Sequence, residues 1–133
     1  MVCLSIFDEN CPEFFAPNER DEYAEFLDSA PIGYEVCLIN NAVIGAFGLV
    51  GSHPEFKHLN WILISEKLQG LGIGDAFLTR VIKCARAQKL QHIKIAASHL
   101  SAPFFAKYGA KITLEVTDGW GPNMHRIDME LYL

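Results

Sequence analysis

The sequence predicts one α/β domain (α+β in looser terms) over residues 1–133, with a single mixed, mostly antiparallel twisted sheet of about six to seven strands flanked by helices. Three observations predict it. The chain of 133 residues has the length of one compact domain, and no linker, repeat or low-complexity stretch divides it. Short alternating segments separated by turn residues come first, as in antiparallel hairpins, and strand–helix–strand patterns follow. Leu59 to Ile64 is almost wholly apolar, the pattern of a strand covered on both faces and therefore central.

Val2 to Phe7 reads as a first short strand. Cys11 to Ala30 is helical in character, with Pro17-Asn18 as a start signal, Tyr23, Phe26 and Leu27 at helical spacing, and Pro31-Ile32-Gly33 as the break. Tyr34 to Ile39 and Ala42 to Val50 alternate as strands around an Asn40-Asn41 turn. Ser52-His53-Pro54 opens a loop before the central strand. Gly72 to Gln88 is the clearest helix: Ile73, Phe77, Val81 and Cys84 line one face, widened by Leu78, Ile82 and Ala85. Leu90 to Ala97 is a strand, and Ser101 to Tyr108 a short helix stopped by Gly109. Lys111 to Val116 and Arg126 to Tyr132 are the last two strands, joined by a turn-rich loop, Asp118 to Asn123, that carries Trp120.

The composition is 50% hydrophobic and 20% charged, with a formal net charge of -5. Lys and Arg are scattered, which argues against nucleic acid as a partner, because phosphate neutralisation drives that binding. The acidic balance suits a cationic substrate such as an amine. The longest apolar run, Ala42 to Gly51, is too short to span a bilayer, so no membrane role is expected. Cys3, Cys11, Cys37 and Cys84 form no C-x-x-C pair and read as reduced thiols of a cytoplasmic protein. The N-terminus, Met1-Val2-Cys3-Leu4-Ser5 turning acidic at Asp8-Glu9, does not read as a secretory signal.

The informative segment is Leu68-Gln69-Gly70-Leu71-Gly72-Ile73-Gly74, between the central strand and the long helix. Glycines at every second position weaken a helix by roughly 1 kcal/mol each, but they let backbone turn tightly and approach a ligand. The loop runs into a helix N-terminus, whose free N–H groups and dipole favour an anion, a pyrophosphate above all. A nucleotide P-loop would need Gly-Lys-Ser/Thr, and Gly74 is followed by Asp75-Ala76. A dinucleotide fingerprint starting at Gly70 and Gly72 would need glycine where Asp75 stands.

Gln69-x-x-Gly72-x-Gly74 resembles the Gln/Arg-x-x-Gly-x-Gly/Ala signature of the GCN5-related N-acetyltransferases (GNAT), and Ser98-x-x-Ser101-x-x-Phe104-Phe105-x-x-x-Gly109 is similar to the same family's later Asn-x-x-Ala-x-x-Phe-Tyr-x-x-x-Gly stretch. The resemblance runs from about Tyr34 to the C-terminus, with a weaker match before it. It implies a GNAT-like fold and an acetyl-CoA-dependent N-acetyltransferase that uses coenzyme A as co-substrate and no metal. It implies that Gln69, Gly70, Leu71, Gly72, Ile73 and Gly74 hold the pyrophosphate, and that Ile62, Leu63 and Ile64 hold the pantetheine arm and the acetyl carbonyl. Ser98 and Phe105 fall in matching cofactor-side places. The acceptor would be an amine of a small molecule or protein, and a homodimer through edge strands or C-terminal elements is compatible with it. A coenzyme A-binding module without chemistry is the alternative.

Transfer to an amine needs a polarised thioester carbonyl, a deprotonated amine and a stabilised thiolate. Backbone N–H groups of Ile62 to Ile64 suit the first. An alkylamine has a pKa of about 10.4, so it needs a base. Glu35, Glu66, His53, His125 and Asp128 are the candidates, and His125-Arg126-x-Asp128 at the head of the last strand is favoured. Each of them also suits a solvated or structural role. Where relatives carry a tyrosine acid this chain has Phe105, which has no proton to give. Tyr108 and, behind it, His99 are the substitutes. Trp120 suits either an acceptor wall or a cap on the core. Pro12-Glu13-Phe14-Phe15 suits an acceptor wall or a plain helix contact, and Trp61 a place in the core.

Overall fold

The computed structural model describes residues 2–11 and 13–133; Met1 and Pro12, both named above, lie outside the described residues. The elements in chain order are Val2–Glu9 (α1), Glu19–Asp28 (α2), Tyr34–Ile39 (β1), Ala42–Val50 (β2), Phe56–Ile64 (β3), Ile73–Ala87 (α3), His92–Ser98 (β4), Ala102–Ala106 (α4), Lys111–Gly121 (β5) and Met124–Tyr132 (β6). A short 3-10 turn, Glu66–Leu68, precedes the glycine loop.

The six strands form one sheet in the order β1-β2-β3-β4-β6-β5. Only β3 and β4 pair in parallel, because α3 carries the chain back to the starting end between them. All other neighbours are antiparallel. The sheet is therefore mixed and mostly antiparallel, as expected. Asn40 and Asn41 take φ 51° and 66°, the two successive left-handed residues that a primed two-residue hairpin requires. After α4 the chain does not lie down beside β4. It runs as the edge strand β5, and β6 returns through the gap between them.

Each face of the sheet is packed by its own helices. Phe77, Leu78, Val81 and Ala85 of α3 bury against Leu59, Ile93, Ile95, Ala97, Phe105, Ile127, Met129 and Leu131. On the other face Cys3, Ile6 and Phe7 of α1 and Tyr23 of α2 pack on Ala46 and Leu63. That second cluster is aromatic: Phe7 stacks on Phe15 at 5.0 Å between ring centroids, and Tyr23 lies 4.8 Å from Trp61.

Three expectations are corrected here. Val2–Phe7 is helix, not strand, and its buried residues Cys3, Ile6 and Phe7 show why: the spacing is i, i+3, i+4, which six residues of mixed apolar sequence conceal. The helix expected from Cys11 to Ala30 is only Glu19–Asp28, starting directly after the Pro17-Asn18 signal. The expected Asp118–Asn123 loop is mostly strand. β5 continues to Gly121, with a bulge at Asp118 (φ 54°), and Pro122-Asn123 alone makes the turn.

Candidate active site

The parallel strands β3 and β4 pair only from Phe56 opposite His92 to Leu59 opposite Ile95. Beyond that point β3 stays with β2, β4 stays with β6, and the two separate. A bulge marks the divergence: Gly48 faces Asn60 and Ala46 faces Leu63, so Phe47 alone stands against Trp61 and Ile62. Trp61 has φ 46°, a strained conformation for a bulky residue. The Tyr34 hydroxyl holds it there by donating to the Trp61 carbonyl, and is itself bonded to the Tyr23 hydroxyl at 2.8 Å. Burial pushes the Tyr34 phenol far up, so it stays a donor at any physiological pH. Tyr34→Phe is expected to lose about 1–2 kcal/mol of stability, read from the urea midpoint, because the bulge loses its latch.

Beyond the bulge the Ser65 amide donates to the Ile44 carbonyl at 2.7 Å. Strand alternation then turns the peptide groups of Ile62 and Ile64 away from β2 and into the gap. The Ile64 carbonyl is met there by the side-chain amides of Asn10 (3.0 Å) and Gln69 (3.2 Å). The Gln69 amide also donates to the Asn10 side-chain carbonyl. Asn10, only 5% exposed, thus ties α1 to the end of β3 and the start of the glycine loop.

The gap is a cleft of about 500 Å³ that passes between the two halves of the sheet. Leu59, Trp61 to Ile64 and Ile95 to Ser98 line its middle. On the α3 side its wall is Gly70, Gly72, Gly74, Asp75, Phe104, Phe105 and Lys107. Gly70 and Gly72 both take φ 82°, and a Cβ on either would meet nothing within 4 Å, so conformation and not crowding requires glycine. At Gly74 a Cβ would stand 3.1 Å from the Phe104 ring, so this glycine admits the ring. Gly72 caps α3, whose first internal bond runs from the Ala76 amide to the Gly72 carbonyl. The amides before it remain free for an anion.

On the α1–α2 side the cleft is lined by Phe14, Phe15, Glu19 and Trp120. The Trp120 indole N–H donates to the Ala97 carbonyl at 2.9 Å, and the Asn18 side chain donates to the Trp120 carbonyl at 2.7 Å. A Cβ at Gly121 would come within 2.3 Å of Asn18 Oδ1 and 2.8 Å of the Ala16 methyl. Only glycine lets the β5–β6 hairpin lie that close. The segment before α2 is thereby tied to the hairpin across the open end of the strands. Glu19 is 3% exposed, with Oε2 accepting the Ala16 amide at 2.7 Å. Burial, above all, pushes its carboxyl up to about 7.

Of the expected cofactor residues, Ile62, Leu63, Ile64, Gln69, Gly70, Gly72, Gly74, Ser98 and Phe105 line the cleft. Leu71, which is 68% exposed, and Ile73 are not in the cleft lining. The Ser98 hydroxyl accepts the Leu100 and Ser101 amides, both at 3.2 Å, and so shapes the turn into α4. The favoured catalytic side chains are elsewhere. Tyr108 donates its hydroxyl to Asp75 Oδ1, and this bond to an anion, ahead of burial, raises the phenol to about 12, away from a useful acid. His125 accepts the Asp118 amide at 3.0 Å and lies 4.6 Å from the His99 ring. Asp128 is paired with Arg126 at 2.7 Å, and the Arg126 guanidinium lies over the Trp120 ring at 5.4 Å. The structure places none of these three in the cleft lining. Glu35, bound to Arg80 at 2.7 Å, and His53, stacked on Phe56 at 4.1 Å, are also outside it. Asn10, Glu19 and Lys107 are cleft residues that sequence reasoning passed over. In sequence Glu19 is an acidic residue in the first turn of α2, a feature that marks a helix start and not a site.

The sequence profile of the Acetyltransferase (GNAT) family matches residues 3–110. The chain belongs to this family. Solved structures agree on the fold. A GNAT family acetyltransferase from Elizabethkingia anophelis, with acetyl-CoA bound, superposes with a TM-score of 0.71 at 22% identity, over 89% of this chain and 86% of that one. Ard1 from Thermoplasma volcanium gives 0.80 at 14% identity, over 99% and 89%. An aminoglycoside 6'-N-acetyltransferase complexed with coenzyme A gives 0.72 at 13% identity, over 97% and 87%. Among curated proteins none matches in sequence. In this GNAT family member no group of three or more His, Cys, Asp or Glu side chains converges as a metal site, among the described residues. No helix among them is long and apolar enough to cross a membrane.

Proposed function

We propose that this GNAT family member transfers an acetyl group from acetyl-CoA to a primary amine of a small molecule or protein, by direct attack in a ternary complex. One observation carries the reading: a single cleft joins a glycine-lined helix N-terminus on one side of the sheet to a buried carboxylate among aromatic rings on the other. The first suits the pyrophosphate of coenzyme A, with Lys107 as a cation beside it. The second suits an amine. Between them the Ile62 and Ile64 amides face the gap, where they can donate to the thioester oxygen as negative charge develops on it. Structural neighbours crystallised with acetyl-CoA or coenzyme A support the donor.

The departing thiolate meets no phenol. Phe105 is buried and Tyr108 is tied to Asp75, so protonation of the sulfur falls to water or to the attacking amine. The same observation motivates the second reading, a coenzyme A-binding module without transfer. A cytoplasmic location belongs to the first proposal, supported by four cysteines with free thiols.

Thermal melting with acetyl-CoA, with ATP as control, tests the donor. A ligand at 100 times its dissociation constant adds about 2.7 kcal/mol, so a rise of several degrees with acetyl-CoA and none with ATP is expected. No rise in the folded protein overturns both readings. A rise with no acetylation across an amine panel leaves the binding module.

A further inference from the structure

We propose that Glu19 is the base that deprotonates the acceptor, and that the acceptor it serves is a monoamine with an apolar or aromatic body. The inference rests on the acetyltransferase reading above and names the chemistry of its acceptor side.

Geometry selects Glu19. It is one of two carboxylates lining the cleft, and the other, Asp75, stands in the first turn of α3 and already receives the Tyr108 hydroxyl. Glu19 sits across the strands from that loop, beside Phe14, Phe15 and Trp120. One of its oxygens is held by the Ala16 amide, which fixes the side chain, while the other has no hydrogen-bond partner among the described residues. The turn that carries it is anchored on both sides. The Glu19 amide donates to the Ala16 carbonyl at 2.9 Å, and Asn18 is bonded to the hairpin at Trp120. A carboxylate that only capped its turn would do so at the surface, where water solvates it. This one is 3% exposed and opens only onto the cleft, where a partner of opposite sign stabilises its charge.

A single ammonium is that partner. With Glu19 the one carboxylate in the cleft lining on this side, a second positive charge on the acceptor would meet no second anion in that lining. Phe14 and Phe15 offer apolar contact and cation–π attraction to a single charge, while the Trp120 ring already carries the Arg126 guanidinium. The titratable group acting on Glu19 is Glu22 of its own helix, and Glu19 in turn helps to raise the Cys11 thiol of the segment after α1. Trp61 of β3 and Trp120 of β5, which share the cleft with it, are neutral. These surroundings hold its proton affinity in the range where a base works near neutral pH.

The step balances as follows. The ammonium gives one N–H proton to Glu19, which passes it to solvent. The amine lone pair forms the C–N bond to the thioester carbon. When the tetrahedral adduct collapses, the C–S bond breaks and its electron pair leaves with sulfur. The second N–H proton lost by nitrogen ends on that thiolate.

The test uses the full chain with saturating acetyl-CoA and three acceptors: phenethylamine, its weakly basic β,β-difluoro analogue, and spermidine. Glu19→Gln keeps the oxygen that accepts the Ala16 amide, so a purely structural role is preserved. Expected are a wild-type kcat/KM about tenfold or more higher for phenethylamine than for spermidine, and a loss of about 100-fold in Glu19→Gln with phenethylamine. The loss should shrink to less than about tenfold with the difluoro analogue, which needs little help in shedding a proton. The acetyl-CoA melting shift should be unchanged. A Glu19→Gln enzyme within threefold of wild type on phenethylamine, or an equal loss on both arylalkylamines, overturns the role of Glu19 while transfer itself stands. Preference for spermidine overturns the acceptor class. Acetyl-CoA binding with transfer to no amine overturns the acetyltransferase reading, and the inference with it.

Discussion

Gly72→Val is expected to weaken coenzyme A binding by about 100-fold or more while the protein stays folded, a difference of at least about 2.8 kcal/mol in binding free energy. Gly72 takes φ 82° and ψ 9° as the residue that caps α3. A β-branched residue is strained there by about 1–2 kcal/mol, which a domain of ordinary stability survives. No neighbour resists the new side chain, since nothing lies within 4 Å of the added Cβ. That open space is the approach to the free amides at the start of α3. An anion must come within hydrogen-bond distance of them, and two methyl groups in front of them would hold it off. Calorimetric titration with coenzyme A, beside a urea unfolding curve, separates the two effects. If Gly72→Val binds coenzyme A within threefold of wild type, the loop is not the pyrophosphate site.

Glu19→Gln should make the protein more stable at pH 8 but not at pH 4, with the difference growing by about 3 kcal/mol across that interval. The sign follows from the direction of the shift. The Glu19 carboxyl is raised in the folded protein, from 4.5 to about 7, so folding binds its proton more tightly than the unfolded chain does. The stability this contributes is fully present below pH 4.5 and is lost as pH rises through about 7. Glutamine does not titrate and loses nothing. His58 is shifted down by burial and by the nearby Lys94, and so works in the opposite direction over the same range. Because it is present in both proteins, the difference between their stability curves isolates Glu19. Parallel curves from pH 4 to 8, measured by urea unfolding, would mean that Glu19 is solvated and ordinary. For a chain of 133 residues the expected gap at pH 8 amounts to a melting difference on the order of 10 °C.

Glu19 was also the residue most completely hidden from sequence reasoning. In sequence it is one more acidic residue in an acidic helix, in the run Glu19-Arg20-Asp21-Glu22, and only its position after Pro17-Asn18 marks it. What makes it chemical is the hairpin from the far end of the chain, which brings Trp120 and Gly121 down on the Ala16–Asn18 turn. His125 and Asp128, whose spacing on β6 suggests a site, lie outside the cleft lining: Asp128 pairs with Arg126 two residues away on the same strand, and His125 accepts the Asp118 amide across the hairpin. Tyr108 lies one helical turn from Phe105, as the spacing implies, but Asp75 of another helix takes its hydroxyl.

What the sequence determined by itself is whatever depends on local periodicity and local conformational freedom. The 3.6-residue stripe of α3, the period-2 strands, the Asn-Asn hairpin and the left-handed glycines before α3 each follow from residues within a few positions of one another. The glycine-loop side of the cleft is built almost entirely from such a segment. Where the period was short or mixed, as in α1, even local structure was misread. The tertiary structure decided the parting of β3 from β4, the latching of the Trp61 bulge by Tyr34, and the enclosure of Glu19 by residues about a hundred positions away. These depend on which groups are removed from water together. Desolvation is a property of the packed neighbourhood, and no stretch of chain carries it alone.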